Sequence, residues 1–323
     1  MFNIGILGCG KIAAKMAQAI SKTEGCQVAG VAARQRSRAK KFAESFCPDA
    51  KVYSGYEKLA AAKDIDLIYI ATPNSYHYEH AILCIKEYKN VLIEKPLAMN
   101  EGEARSIFCE AKNRNLFVCE AMWSSFMPLH LKMLEWIREG RIGQVKYITG
   151  DLGYDLTEVP RLNDPVLGGG AYLDLGVYPS NLAISIIGTD IKATHVYSKR
   201  LSTGCDKETS YILESGDGSI IADFFVTMGA DTTKDGSVIG EEGKIKITNI
   251  NNYRKIALLT KDDQVIEEIE AEKSIDDSYI YEIEACRDAV TKGLIQCPEM
   301  NWDKSLKLAV INDAVRASIG QYM

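Results

Sequence analysis

Phe2-Asn3-Ile4-Gly5-Ile6-Leu7 runs without a break into Gly8-Cys9-Gly10-Lys11-Ile12-Ala13, and the chain beyond turns amphipathic. The apolar run predicts a strand, the glycines a tight turn, and the periodicity after Lys11 a helix. Gly8 permits the turn out of the strand, and Gly10 lets the backbone approach a pyrophosphate. Ala13 fills the place of a third glycine, where close helix packing also accepts alanine. Amides at the start of the helix, around Lys11 and Ile12, are then positioned to hold a diphosphate. The stretch is therefore expected to bind a dinucleotide.

Further along, short apolar runs alternate with amphipathic segments up to about Ala121, the pattern of a parallel sheet flanked by helices. Candidate strands are Asn3–Leu7, Gln27–Ala32, Leu67–Ala71, Val91–Ile93 and Leu116–Cys119, with helices beginning near Ile12, Arg38, Tyr56, Tyr78 and Glu101. Asn100 and Glu103 have the spacing of a capping box at the last of these. The topology reads as a Rossmann fold. From Gln144 the pattern changes to long alternating runs: Val145–Tyr154, Lys192–Arg200, Thr209–Ser215, Ser219–Val226, Ser237–Gly240, Lys244–Asn249, Lys255–Thr260 and Gln264–Ile269. Turns such as Gly216-Asp217-Gly218 separate them, as antiparallel pairing requires. Helices are expected over Ala171–Ile187, Tyr279–Lys292 and Lys304–Ile319. The expected fold class is α/β: a dinucleotide-binding Rossmann domain over residues 1–121, then an α+β domain over 122–323 with a large, mostly antiparallel open sheet. The second domain is expected to bind substrate and to carry the oligomer interface.

Composition narrows the partners. The 323 residues are 46% hydrophobic and 25% charged with a net charge of −6, which gives no electrostatic reason to expect nucleic acid or an anionic membrane surface. No apolar stretch approaches the roughly 20 residues needed to span a bilayer. The first strand leaves no room for a signal peptide, so a cytoplasmic protein is expected. Nine cysteines, at 9, 26, 47, 84, 109, 119, 205, 286 and 297, are odd in number and contain no Cys-x-x-Cys pair. Reduced buried thiols are expected from them, and no metal is assigned.

The end of the second strand bears on which dinucleotide binds. An NAD site needs an acid about 20 residues past the loop, whereas this chain has Ala32-Ala33-Arg34-Gln35-Arg36-Ser37-Arg38. Arg34 can stack on an adenine, and Ser37 and Arg38 can donate to a 2′-phosphate, which argues for NADP over NAD. The bland alternative is a solvated basic helix start. A second feature lies downstream. Asn90-Val91-Leu92-Ile93 ends in Glu94-Lys95-Pro96, which places a lysine at the carboxyl end of a strand, where open α/β sheets bind their ligands.

Thr72-Pro73-Asn74-Ser75-Tyr76-His77 followed by Glu94-Lys95-Pro96 resembles the glucose-fructose oxidoreductase, inositol dehydrogenase and MocA (Gfo/Idh/MocA) family. Glu120-Ala121-Met122-Trp123-Ser124-Ser125-Phe126-Met127-Pro128, Arg161-Leu162 and Gly168 to Pro179 resemble its branch of dimeric dihydrodiol dehydrogenase and NADP-dependent D-xylose 1-dehydrogenase. The resemblance covers essentially the whole chain, including Tyr281-Glu282. It implies hydride transfer between a nicotinamide and a sugar, polyol or cyclic vicinal diol, without a metal. It also implies catalytic roles for Lys95, Tyr178 and Asp174, and cofactor contacts from Thr72, Pro73, Asn74, His77, Glu94 and Lys95. Trp123, Arg161 and Tyr178 would meet the substrate. A phenol with a reference pKa near 10 is a poor base at neutral pH unless an ammonium stabilises its phenolate, which is the work expected of Lys95. Asp174 lies one helical turn before Tyr178. Association into a dimer or tetramer through the carboxyl-terminal sheet is implied as well. Ser125, where the branch has arginine, and the polar segment Thr248-Asn249-Ile250-Asn251-Asn252-Tyr253 depart from the pattern and favour a polar substrate pocket. Two other readings of the chain are an NADP-binding regulatory protein without turnover and a glycosidase that uses bound nucleotide for transient oxidation.

Overall fold

The computed structural model describes residues 1–320. Along the chain the elements are β1 (Phe2–Leu7), α1 (Lys11–Lys22), β2 (Cys26–Ala33), α2 (Arg36–Phe46), β3 (Lys51–Ser54), α3 (Tyr56–Ala60), β4 (Leu67–Ile70), α4 (His77–Lys86), β5 (Asn90–Glu94), α5 (Glu101–Arg114) and β6 (Val118–Ala121). There follow α6 (Pro128–Arg138), β7 (Val145–Gly153), α7 (Val177–Ile187), β8 (Ile191–Arg200), β9 (Asp206–Ser215), β10 (Ile221–Thr227), β11 (Gly236–Gly240), β12 (Gly243–Thr248), β13 (Lys255–Thr260), β14 (Val265–Glu270), α8 (Ile280–Thr291) and α9 (Trp302–Ile319). No helix among the described residues is long and apolar enough to cross a membrane.

The chain divides into two compact units, residues 1–123 with 273–305, and residues 124–272 with 306–323. The division differs from a single cut after residue 121. Segment 273–305 packs with the first unit, because α8 buries Ile283, Cys286 and Ala289 there and its leading turn meets α1. The indole of Trp302 donates to the carbonyl of Val118 at 2.9 Å. A sequence pattern shows where a helix is, but not which earlier sheet its apolar face will choose.

In the first unit six strands form a parallel sheet in the order β3-β2-β1-β4-β5-β6. Ile4, Ile6 and Leu7 of β1 and all four residues of β4 are buried, as strands covered on both faces must be. The order reverses between β1 and β4, which opens a crevice beyond their carboxyl ends. β3 is absent from the sequence reading because its four residues, only one of them buried, are too few to show an alternation. At α5 the Asn100 side chain accepts from the Glu103 amide at 2.9 Å. The Glu103 carboxylate in turn accepts from the Met99 amide at 3.0 Å, one residue before the cap.

In the second unit eight strands run in the order β14-β13-β12-β11-β7-β10-β9-β8. Every pairing is antiparallel except β7 with β10. α7 lies against β7 and β9, over buried Ile148, Leu152, Tyr211 and Leu213.

Candidate active site

β1 ends at Leu7, and Gly8 turns the chain with φ +104° while its amide donates to the Ala32 carbonyl at 2.9 Å. A Cβ at Gly8 would lie 2.6 Å from the carbonyl oxygen of Ala71, so the turn and the close approach to β4 both require glycine. Gly10 precedes α1 and has open space on its Cβ side. The first turn of α1 carries no side-chain cap and no acid. Exposed uncapped amides beside an unfilled glycine edge suit the diphosphate of a dinucleotide, with Lys11 and Ile12 in that turn. Ala13 is fully buried against the sheet, as the third position of the motif demands.

Beyond β2, residues Arg34, Gln35, Arg36, Ser37 and Arg38 are all exposed, and the first turn of α2 contains no acid. Arg38 lies near enough to Cys9 to oppose the burial that pushes this thiol up to about 12. The guanidinium therefore stands beside the glycine loop. Tyr56 meets the backbone of Arg34 on the other side.

At the carboxyl ends of β4 and β5 the backbone is fixed by buried side chains. His77 is fully buried, with Nδ1 at 2.8 Å from the Pro96 carbonyl oxygen and Nε2 at 2.8 Å from the Thr72 carbonyl oxygen. Thr72 pairs its hydroxyl with Nδ1 of His80 at 3.0 Å, and Asn74 is buried beside Pro73. The Leu97 amide donates to Oε1 of buried Glu120 at 2.9 Å, and the Tyr69 hydroxyl donates to Oε1 of Glu94. Half-buried Lys95, whose bond to Pro96 is cis, is thus flanked by three anchored neighbours on the same unit. Burial pushes the Glu120 carboxyl up to about 7.

His77 was expected to touch the cofactor, but its ring is turned inward and both nitrogens face backbone carbonyls. Its work in this structure is to tie the Thr72 turn to the Lys95-Pro96 turn. Two carbonyls favour the charged ring, yet burial dominates and lowers the group to about 4, so at pH 7 the neutral ring donates its single N–H to one carbonyl and packs its lone pair against the other. Between about 4 and 6.5 the unfolded chain binds more protons at this site than the folded one. Stability from His77 is therefore complete above pH 6.5 and is lost as pH falls towards 4, by on the order of 3 kcal/mol. In His77→Gln the pH dependence of urea unfolding across that window should flatten by about one proton relative to the unaltered protein. An unchanged slope would show that the ring titrates alike in both states.

In the second unit a π-helical turn, Tyr172–Gly176, leads directly into α7. Such turns shift the register of the side chains that follow and leave carbonyls to be satisfied from outside. Here the Tyr211 hydroxyl donates to the Gly176 carbonyl at 2.8 Å. Asp206 caps the start by accepting from the Tyr172 amide at 2.8 Å. Asp174 on the turn and Tyr178 on α7 are both buried. Half-exposed Arg161 donates from Nη2 to Oδ1 of Asp174 at 3.0 Å, so two expected site residues form one ion pair.

Within the first unit the structure gathers Gly8, Gly10, Thr72, Asn74 and Lys95 at the strand ends, and within the second it gathers Arg161, Asp174 and Tyr178. Trp123 is buried and stacks on Tyr279 with ring centroids 4.3 Å apart and planes 10° apart. The polarity expected for a pocket is taken up inside the second unit. Buried Ser125 accepts from the Asn181 side chain at 2.9 Å, Asn251 accepts from the Tyr154 hydroxyl, and the Tyr253 hydroxyl meets Nδ1 of His130. Glu120 is the positioning residue that the sequence reading left without a role. Its signal was a carboxylate at the end of an otherwise apolar strand, which has to serve a backbone amide or titrate.

Comparison with known proteins adds three kinds of likeness. Residues 2–121 match the GFO/IDH/MocA family described as "Oxidoreductase family, NAD-binding Rossmann fold", and residues 130–246 match the "GFO/IDH/MocA C-terminal domain". The chain is 31% identical over 333 residues to trans-1,2-dihydrobenzene-1,2-diol dehydrogenase of Danio rerio, covering 98% of this chain and 96% of that protein. The enzyme of the same name from Xenopus laevis is 31% identical over 324 residues, covering 98% and 97%. Among solved structures, KijD10, a 3-ketoreductase from Actinomadura kijaniata in complex with NADP and TDP-benzene, superposes with a TM-score of 0.88. Its identity is 25%, over 98% of this chain and 97% of that one. An aldose-aldose oxidoreductase from Caulobacter crescentus shares the fold, with a TM-score of 0.84 at 19% identity, over 98% of each chain.

Proposed function

The chain belongs to the GFO/IDH/MocA oxidoreductase family, and on that footing we propose that it is an NADP-dependent enzyme acting on a CH–OH group of a sugar, polyol or cyclic vicinal diol. NADP supplies the hydride acceptor or donor when bound. The observation that carries the reading is the fixed lysine turn. Lys95 stands at the carboxyl end of β5, in the sheet whose crevice holds the glycine loop, and Glu120 and His77 immobilise the backbone around it. Preorganised charge of this kind stabilises an alkoxide without reorganisation at the moment of reaction. Lys95 polarises the carbinol oxygen, and Tyr178 accepts the hydroxyl proton in oxidation or returns it in reduction. Asp174 holds Arg161 on the half-exposed side of the π-turn, where the guanidinium can meet substrate oxygens. Thr72, Pro73, Asn74 and Glu94 line or support the cofactor side of the lysine, and Trp123 forms an apolar wall braced by Tyr279. An odd number of cysteines without a Cys-x-x-Cys pair supports a reducing, cytoplasmic setting.

NADP reduction followed with pentoses, hexoses, inositols and a trans-dihydrodiol tests the substrate class. Turnover with at least one vicinal diol is expected. Binding of NADP with no turnover on any of them would contradict the reading.

The second sheet supports a homo-oligomer. The face of the second sheet away from α7 carries Tyr147, Ile212, Ile221, Phe225, Ile239 and Tyr197, interleaved with Thr149, Ser210, Asp223 and Lys246. It is a mixed face, less apolar than strand alternation alone suggests. A second copy across a two-fold axis can set its own Asp223 and Lys246 against these charges while covering the aromatics. Sedimentation of the unaltered protein should give a dimer or tetramer, and Phe225→Asp should yield a particle of 35.7 kDa. A monomeric unaltered protein at micromolar concentration would contradict the assignment.

A further inference from the structure

In the first unit three cysteines distant in sequence converge. Cys119 lies on β6, Cys286 on α8, and Cys297 in the loop between α8 and α9. All three are fully buried, and their sulfurs lie within 4.8 Å of one another, with Sγ of Cys286 and Cys297 3.9 Å apart. The loop bearing Cys297 is pinned beside Cys119. The Val118 amide donates to the Ile295 carbonyl at 3.0 Å, and Trp302 holds the Val118 carbonyl.

A second observation concerns Glu282, one helical turn before Cys286 on α8 and therefore on the same face. It is 1% exposed, and neither carboxylate oxygen has a hydrogen-bond partner among the described residues. A buried carboxyl with no donor costs free energy unless a cation or a proton neutralises it. Glu282 lies outside the sulfur triangle itself.

We propose that Cys119, Cys286 and Cys297 form a buried three-sulfur site for a soft, thiophilic divalent cation of the zinc type, whose charge would offset that of the buried Glu282 carboxylate on the same face of α8. Zinc bound by sulfur at about 2.3 Å in a tetrahedron separates its sulfurs by about 3.8 Å, close to the 3.9 Å between Cys286 and Cys297. Thiolates select such cations over hard ones. The site departs from the sequence expectation of unconnected thiols, because its ligands come from three segments with no short Cys-x-x-Cys spacing. Its effect would be on folding. A cation there would join β6 to the carboxyl-terminal return of the chain into the first unit.

The test uses the full chain, reduced and stripped of metal under anaerobic conditions, then titrated with Cd²⁺ alone and with Zn²⁺ against a chromophoric chelator. One cation per chain is expected, with the ultraviolet sulfur-to-cadmium band of a thiolate site. Cys297→Ser and Cys286→Ser should each weaken binding by about a hundredfold or more. Cys109→Ser, at an exposed thiol, should leave it unchanged. Zinc should raise the unfolding midpoint of the unaltered protein but not of the Cys297→Ser variant. X-ray absorption on the zinc-loaded, unaltered protein needs no variant to fold, and should count three sulfurs. A count of one sulfur or none would overturn the proposal, as would Cd²⁺ binding equal in the unaltered protein and Cys297→Ser.

Discussion

Lys95→Ala is expected to lower turnover by about two to four orders of magnitude while NADP affinity changes little, and Tyr178→Phe to do the same. The lysine variant should keep its turn, because the holding contacts belong to neighbours: Glu120 on the Leu97 amide and His77 on the Pro96 carbonyl. What is lost is the ammonium. Without it the substrate oxygen is no longer polarised, so transfer of its proton at neutral pH slows. The phenylalanine variant keeps the ring in the first turn of α7 and removes the hydroxyl that would carry the proton. Steady-state rates with calorimetry of NADP binding separate the two effects. A fall in affinity equal to the fall in rate would assign Lys95 to binding alone. Full activity in Tyr178→Phe would move proton transfer to another group.

Arg38→Ala should weaken NADP about tenfold to a hundredfold and leave NAD nearly unchanged. A charge-assisted hydrogen bond contributes about 1.5 to 3 kcal/mol, and 1.4 kcal/mol is a factor of ten. The expectation rests on an exposed stretch, Arg34 to Arg38, whose helix start holds no acid to bind a ribose 2′-hydroxyl or repel a phosphate. Because those cations are exposed, raised salt should narrow the preference. Calorimetry with both nucleotides, at two ionic strengths, reads this directly. Equal affinities in the unaltered protein would show that the basic stretch is merely solvated.

Much of this was legible in the sequence because local chemistry dictated it. A glycine that must take φ +104° at the end of an apolar strand, and a lysine at the end of another, are decided by neighbours in the chain. The eight strands of the second sheet could be read as well, since half-buried antiparallel strands alternate. Four-residue β3 could not. The return of 273–305 to the first unit was also hidden, because an amphipathic helix declares a face and not a partner. His77 misled for a related reason. A histidine beside a nucleotide loop has two nitrogens to offer, and only the fold shows both turned to carbonyls. The partners of Ser125, Asn251 and Tyr253, which are Asn181, Tyr154 and His130, were likewise hidden from the sequence.

The most direct test of the account is a single turnover of the NADP-loaded protein with the best diol substrate, deuterated at its carbinol carbon. The account predicts that the label appears on the nicotinamide C4 within one turnover in the unaltered protein. In Tyr178→Phe it should appear at a rate lower by about two to four orders of magnitude. Nucleotide that stays oxidised and unlabelled in the unaltered protein, although bound, would contradict it.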